Sequence, residues 1–417
     1  MATISQKPVL ISGAGIGGTL LARALQSHNI PFQLYERDAN RYARAQGYRI
    51  RMSDEGLSAI ESVLNSEDFT TFKDGTSTTG SGGPYHFDAK TGDRIEHGST
   101  GPPGPPPSKP DTNSAPHAPD APAPTKPMLS GPTYGTARGW LRDNLLTTIA
   151  DSIHWDKRAS SYSLTESGVV LNFTDSTTSP EGSMLVIADG SQSALAAQLG
   201  QGEIRSYDTG ARMIHGQTTS KAFRELGTGV FFVRDGSHEA GPLSLITNIR
   251  PGGELDDDSV EFGWVFVGGP GSFAPPNEDF SLIGEPAAEL SRELTKDWSP
   301  KFKGIFEQQN DAQAAFLKMS TAWPRGLPEW KSEARVTVLG DAVHCMTPAG
   351  GVGANTALQD AAFLGMLLGE RGGWGEDVVA KYEIEMRQYA SEKVKASFEA
   401  AAKQFSITEL GGKKLDP

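Results

Sequence analysis

Near its start the chain reads as a strand, a glycine break and a helix. "PVLIS" is a short apolar run, "GAGIGG" interrupts it, and Leu20, Leu21, Ala24 and Leu25 then recur at helical spacing. "IPFQLYER" predicts a second strand, completing βαβ order. Further along, "RGWLRDNLLTTIA" predicts a helix, with Leu141, Leu145 and Leu146 on one face and Arg138 and Arg142 one turn apart. "GSMLVIADGSQSALAAQLG" predicts a strand, an Asp189-Gly190 turn and a helix from about Ser193. From 207 to 270 the pattern changes to short β-rich runs, "GVFFVRDG", "PLSLITNIRPGG" and "SVEFGWVFVGG", which predict an antiparallel sheet. Residues 285–317 read as helical and "ARVTVLGDA" as a strand. Asn355 to Leu368 and Val378 to Gln404 read as helices.

The order implies an α/β protein with a discontinuous Rossmann-like nucleotide domain. An inserted, mainly antiparallel β-sheet domain and C-terminal helices complete it. The expected boundaries are 1–80, 131–205 and 325–417 for the first domain and 206–324 for the insert. A proline-rich flexible insertion is expected at 98–132, where twelve of the chain's 27 prolines fall. Such a composition makes neither a helix nor a central strand.

The first turn carries chemistry. Gly13, Gly15 and Gly18 occupy the G-x-G-x-x-G positions, with Gly17 inside the same run, and Glu36 ends the second strand. Gly13 allows the tight turn, Gly15 admits a pyrophosphate to the backbone, and Gly18 lets helix and strand pack closely. The helix N–H groups face the phosphates, and Glu36 is placed to accept from a ribose hydroxyl.

A second glycine-rich turn, "GDAVHCMTPAGGVGANTALQD", lies more than 300 residues later. One fingerprint serves one pyrophosphate. A dinucleotide as long as FAD also has a ribityl chain and a ring to hold. Asp341 falls at the carboxyl end of a strand, where a carboxylate can accept from a ribityl hydroxyl. Gly351, Val352, Gly353, Ala354 and Asn355 then open a helix whose free N–H groups suit the negative edge of a reduced flavin.

Composition narrows the field. The chain has 417 residues, 37% hydrophobic and 21% charged, with a net charge of −13. So acidic a surface repels nucleic acid and anionic membranes. Cys345 is the single cysteine, which forms no intramolecular disulfide and fits a reducing compartment. No secretory leader, membrane span or metal is expected, and the location expected is cytoplasmic. The expected partners are a small-molecule substrate and at most a second copy, as monomer or homodimer.

Three motifs together resemble the group A flavoprotein monooxygenases, the para-hydroxybenzoate and salicylate hydroxylase-like family. "GAGIGG" with Glu36 and Arg37 is similar to its first motif, and "VIADGSQS", through Asp189 and Gly190, to its Asp-Gly motif. "GDAVHCMTPAGGVGAN" is similar to its Gly-Asp motif, with Gly340, Asp341, His344, Pro348, Gly351, Gly353 and Asn355 in place. "RGWLRDNL" resembles the family's Arg-x-x-Leu helix, which implies Arg138 near the cofactor. "QGYRIRMSDEGLSAI" is closer to fungal and actinobacterial tailoring enzymes than to bacterial phenol hydroxylases, and the proline-rich segment departs from the usual pattern.

The resemblance implies non-covalent FAD, NAD(P)H and O2 as co-substrates, and a flavin C4a-hydroperoxide. That species would hydroxylate or epoxidise an electron-rich, aromatic or polycyclic molecule. No second G-x-G-x-x-G is present, so the nicotinamide is expected to bind transiently. By resemblance Arg49 and Arg51 flank the flavin-side loop, either touching cofactor or nicotinamide or serving as surface cations. Arg212 and His215 are candidate catalytic residues on the first strand of the inserted sheet, where an ordinary strand surface is the alternative. Other readings are a FAD-linked dehydrogenase or reductase and a non-catalytic nucleotide-binding protein. A halogenase lacks support, since no Trp-x-Trp occurs.

Overall fold

The computed structural model describes residues 7–41, 49–78, 84–95, 134–250 and 253–414; the proline-rich stretch lies outside them. Five parallel strands form one sheet in the order Val336–Val338, Met184–Ile187, Val9–Ser12, Phe32–Tyr35, Ile153–His154. Val9–Ser12 sits in the middle. The chain moves to one side of it for Phe32–Tyr35 and returns on the other for Met184–Ile187. At that reversal, the loops after the strands' carboxyl ends leave a crevice.

The central strands are buried on both faces, as expected for apolar runs in a parallel sheet. The helix Ile16–Ser27 is buried continuously from Gly17 to Leu25, because it lies between the sheet and the helix Gly353–Arg371. The two helices touch backbone to backbone. A Cβ on Gly365 would come within 2.4 Å of Ala24 Cβ, and one on Gly17 within 3.3 Å of the Ala357 carbonyl oxygen. Small residues at these points bring both helix N-termini to one side of the sheet.

A seven-stranded sheet forms the second body, in the order Ala315–Thr321, Tyr207–Thr219, Glu261–Gly268, Leu243–Ile249, Gly229–Asp235, Pro84–Asp88, Arg94–Ile95. Its core is aromatic, with Phe231, Phe262, Trp264, Phe266, Trp298 and Phe306 all buried. The last two strands come from before the proline-rich stretch, and Pro84–Asp88 pairs parallel to Gly229–Asp235. The sequence reading places the sheet within 206–324, because "PYHFD" is too short for its alternation to be distinguished from a loop. The helical reading of 285–317 also ends early. Glu285–Thr295 and Pro300–Glu307 are helices, but Ala315 begins an edge strand paired with Tyr207–Thr219.

A three-stranded sheet of Arg49–Met52, Tyr134–Ala137 and Ser77–Thr78 lies beside the parallel sheet. The helix Glu376–Phe405 closes the molecule. Among the described residues, no helix is long and apolar enough to cross a membrane.

Candidate functional site

Four loops meet at the carboxyl edge of the parallel sheet because four adjacent strands end there. They carry Gly13, Glu36, Asp189 and Asp341.

In the first loop each glycine has a separate reason. Gly13 has φ +110°, and its absent Cβ would lie 2.3 Å from the Ala188 carbonyl oxygen. A Cβ on Gly18 would lie 2.0 Å from the Gly13 carbonyl oxygen, so these residues pack the turn onto itself. Around Gly15 a Cβ would meet no atom of the described residues within 4 Å. Gly15 is also the N-cap of Ile16–Ser27, which has no side-chain cap. Its first-turn N–H groups are therefore available to an anion.

Glu36 is buried against this turn. Its Oε2 accepts from the Ala14 N–H at 2.8 Å and its Oε1 from the Asp38 N–H at 3.0 Å. Arg142 holds the turn from the other side, donating from Nε to the Ala14 carbonyl at 3.1 Å and from Nη1 to the Arg41 carbonyl at 3.0 Å. Sequence reasoning named Arg138 for this helix and passed over Arg142. The available signal was the spacing, since an arginine one turn on from Arg138 shares its face. Arg138 begins the helix Arg138–Leu146, close enough to Asp341 to favour its carboxylate.

Asp189 follows the strand Met184–Ile187. Burial raises its pKa to about 6, and its Oδ1 is buried with no hydrogen-bond partner among the described residues. Gly190 beside it has φ +90° and open space where a side chain would project. A buried carboxylate oxygen without a partner among the described residues and the uncapped start of Ile16–Ser27 leave polar groups that a ligand would complete.

The second glycine turn starts at Gly340, with φ +64° and ψ −148°, a conformation reserved for glycine. Asp341 projects into a cavity where solvent reaches it, with protein packed on its other sides. That packing raises its pKa, opposed by His344 and Arg138. A Cβ on Gly353 would stand 4.0 Å from Asp341 Oδ1, so Asp341 faces the start of Gly353–Arg371. This helix has Val352 as N-cap and no side-chain cap.

Asn355 plays a different part from a side-chain cofactor ligand. Its Oδ1 accepts from the Ser53 N–H, and its Nδ2 donates to the Arg51 and Gly351 carbonyls, each at 2.9 Å. The side chain clamps the helix start to the strand Arg49–Met52, leaving only its backbone for a ligand. Gly351 lies under that strand, its absent Cβ 3.2 Å from Arg51 Cβ. Below the turn, His344 Nε2 lies 2.6 Å from Asp360 Oδ2 in a fully buried pair. Burial works against a charged imidazole, but the Asp360 carboxylate outweighs it and raises the His344 pKa.

A cavity of about 620 Å³ opens beside these loops. Arg37, Ser191, Asp341 and Pro348 wall one part, and Met213, Phe316, Leu317 and Met319 of the large sheet wall another. Arg212 and His215 contribute no wall. Arg212 points away from Met213, pairs with Asp208 at 2.7 Å and lies over the Phe280 ring. His215 is buried, its Nδ1 donating to the Trp264 carbonyl at 3.1 Å, and burial lowers its pKa to about 4. A ring held neutral within the sheet is a poor proton donor at neutral pH.

The fold and the edge define a protein built to hold a dinucleotide beside a cavity that the large sheet also walls. A family model described as an FAD binding domain matches residues 305–397. The dual O-methyltransferase/FAD-dependent monooxygenase elcB of Phaeosphaeria nodorum is 33% identical over 396 residues, 86% of this chain and 40% of that protein. CTB3 of Cercospora beticola, described in the same words, is 29% identical over 442 residues, 97% of this chain and 47% of that protein. The chain thus spans less than half the length of these curated relatives. Among solved structures, a candidate FAD containing monooxygenase from Photorhabdus luminescens has the same fold. Its TM-score is 0.72 over 96% of this chain and 99% of that one, at 24% identity. By sequence the chain is similar to FAD-dependent monooxygenases over most of its own length, and an FAD binding domain model matches its C-terminal part.

Proposed function

We propose that this protein is an FAD-dependent monooxygenase of secondary metabolism. It uses NAD(P)H and O2 to hydroxylate or epoxidise an electron-rich aromatic or polycyclic small molecule. One observation carries the reading: a single cavity is walled both by the loops of the parallel sheet and by apolar side chains of the large sheet. A redox cofactor and an apolar substrate would share that space.

The residues fit FAD. Open space at Gly15 and the uncapped start of Ile16–Ser27 suit the pyrophosphate. Glu36, with Arg37 beside it, would hold the adenosine ribose while keeping the turn in shape. Asp341 would accept from the ribityl chain. The first-turn amides of Gly353, Ala354 and Asn355 would face the anionic edge of the ring, with Pro348 beside it. Bound FAD would supply the redox and oxygen chemistry. The protein's part is to bind, to orient the substrate against Met213, Leu317 and Met319, and to limit water.

The test is oxygen incorporation. Purified protein reconstituted with FAD is screened with aromatic and polycyclic compounds, following NAD(P)H oxidation under ¹⁸O₂. The reading expects substrate-stimulated oxidation with one labelled oxygen in the product. Oxidation of substrate without label would identify a dehydrogenase. Protein that takes up no FAD would end the reading.

A further inference from the structure

We propose that Asp360 is a positioning residue that sets the orientation of Asp341 from beneath the cofactor site. The inference rests on the reading that Asp341 anchors the cofactor. Asp360 is fully buried in the helix Gly353–Arg371, followed by Ala361 and Leu364 in the core. Its Oδ2 accepts from the Gly340 N–H at 2.8 Å and meets His344 Nε2 at 2.6 Å. Its Oδ1 accepts from the Tyr389 hydroxyl at 2.5 Å, reaching across to Glu376–Phe405.

Gly340 and His344 bound the short segment that carries Asp341, and one oxygen atom ties both ends. Gly340 is the residue whose backbone conformation only glycine supports, so the turn has many alternatives once its amide is released. The His344 N–H donates to the Gly340 carbonyl at 3.0 Å, so the two ends also hold each other. Tyr389 fixes the rotation of the carboxylate, because only one orientation offers Oδ1 to the hydroxyl and Oδ2 to the turn. The contacts face away from the cavity, so Asp360 reaches the ligand only through Asp341. Asp360→Asn removes the negative charge set against His344, and its amide nitrogen either opposes the Gly340 N–H or, in the Oδ1 place, makes the Tyr389 hydroxyl turn round to accept.

The experiment is a double-mutant cycle on cofactor affinity. FAD is titrated into apoprotein by quenching of flavin fluorescence, for the native sequence, Asp341→Ala, Asp360→Asn, Tyr389→Phe and each pairing with Asp341→Ala. Thermal unfolding of each apoprotein runs alongside. Asp360→Asn is expected to weaken FAD about tenfold alone but less than about twofold when Asp341 is already alanine, because the route runs through one residue. Tyr389→Phe is expected to do the same, more weakly. Equal factors in both backgrounds would overturn the proposal and leave Asp360 a general fold-stabiliser. Weakening by Asp341→Ala without any from Asp360→Asn or Tyr389→Phe would overturn this inference alone. No effect from Asp341→Ala would overturn the cofactor reading beneath it. If Asp360→Asn yields no folded protein, the Tyr389→Phe cycle decides by the same comparison.

Discussion

Glu36 and Ala14, 22 residues apart, meet where the first two parallel strands end, the Glu36 carboxylate accepting the Ala14 amide at 2.8 Å. The contact shapes the glycine turn, and on the proposed reading Glu36 also faces the adenosine ribose. A hydrogen bond to a charged group contributes about 1.5–3 kcal/mol. Glu36→Ala should therefore raise the FAD dissociation constant about ten- to a hundredfold, at about 1.4 kcal/mol per decade. Equilibrium titration of apoprotein measures it, and an unchanged constant would remove Glu36 from the site.

The glycines of the first turn separate into binding and packing positions. Gly15→Val puts its Cβ where no described atom lies within 4 Å, so the apoprotein should lose only about 1 kcal/mol, the N-cap preference for glycine over valine. FAD binding should be blocked. Gly18→Ala places its Cβ 2.0 Å from a backbone oxygen, and overpacking of this kind costs about 1–3 kcal/mol or more. Denaturant melts and FAD titrations on both variants check the split. A Gly15→Val variant that binds FAD normally would refute the assignment of that space.

Asp189 predicts a pH dependence with a definite sign. Its pKa is raised to about 6 in the folded protein, against about 3.9 for an unfolded aspartate. Below pH 4 both states carry the proton and the group is neutral toward folding. As pH rises from about 4 through 6, the unfolded chain releases its proton first and the folded apoprotein loses stability. Asp189→Asn should remove that loss, so its advantage in melting temperature over the native apoprotein should grow between pH 4 and 7. An advantage that stays constant across this range would contradict the assignment.

Cys345 should be chemically quiet. It is buried, its Sγ is 3.6 Å from the Ser320 carbonyl oxygen, and burial with the nearby Asp341 charge pushes the thiol pKa well up. The thiolate is the reactive form, so iodoacetamide at pH 8 should alkylate the native protein at least about tenfold more slowly than the denatured protein. Equal rates would indicate an activated thiol and a different chemistry along this stretch.

The elements that were legible in the sequence are those whose signal is local. "VLIS-GAGIGG" and "VTVLGD" announce strand-to-glycine turns because a buried strand must be apolar and a tight turn must be small, whatever surrounds them. The β-rich runs between 229 and 268 alternate cleanly, and they form strands. Pro84–Asp88 gave no such signal: five residues with one polar face do not differ from a loop until Gly229–Asp235 pairs with them. Ala315–Thr321 fails for the opposite reason, since an edge strand keeps apolar residues on a helix-like stretch and only pairing assigns it.

The site divides the same way. Sequence alone determined that Gly13, Gly15, Gly18, Glu36 and Asp341 belong to glycine turns at strand ends, because a backbone turn and a carboxylate after a strand are properties of consecutive residues. Only the tertiary structure decided which of them face open space. It left open space at Gly15 among the described residues and packed Gly18 against the turn, tied the Asn355 side chain to the Arg49–Met52 strand, and set Arg142 under the first turn. It also brought Asp360 beneath Gly340, buried His215 in the sheet and laid Arg212 behind Phe280. Hydrogen bonds between residues 20 to 300 positions apart depend on how helices cross and strands order, and no window of consecutive residues contains that geometry.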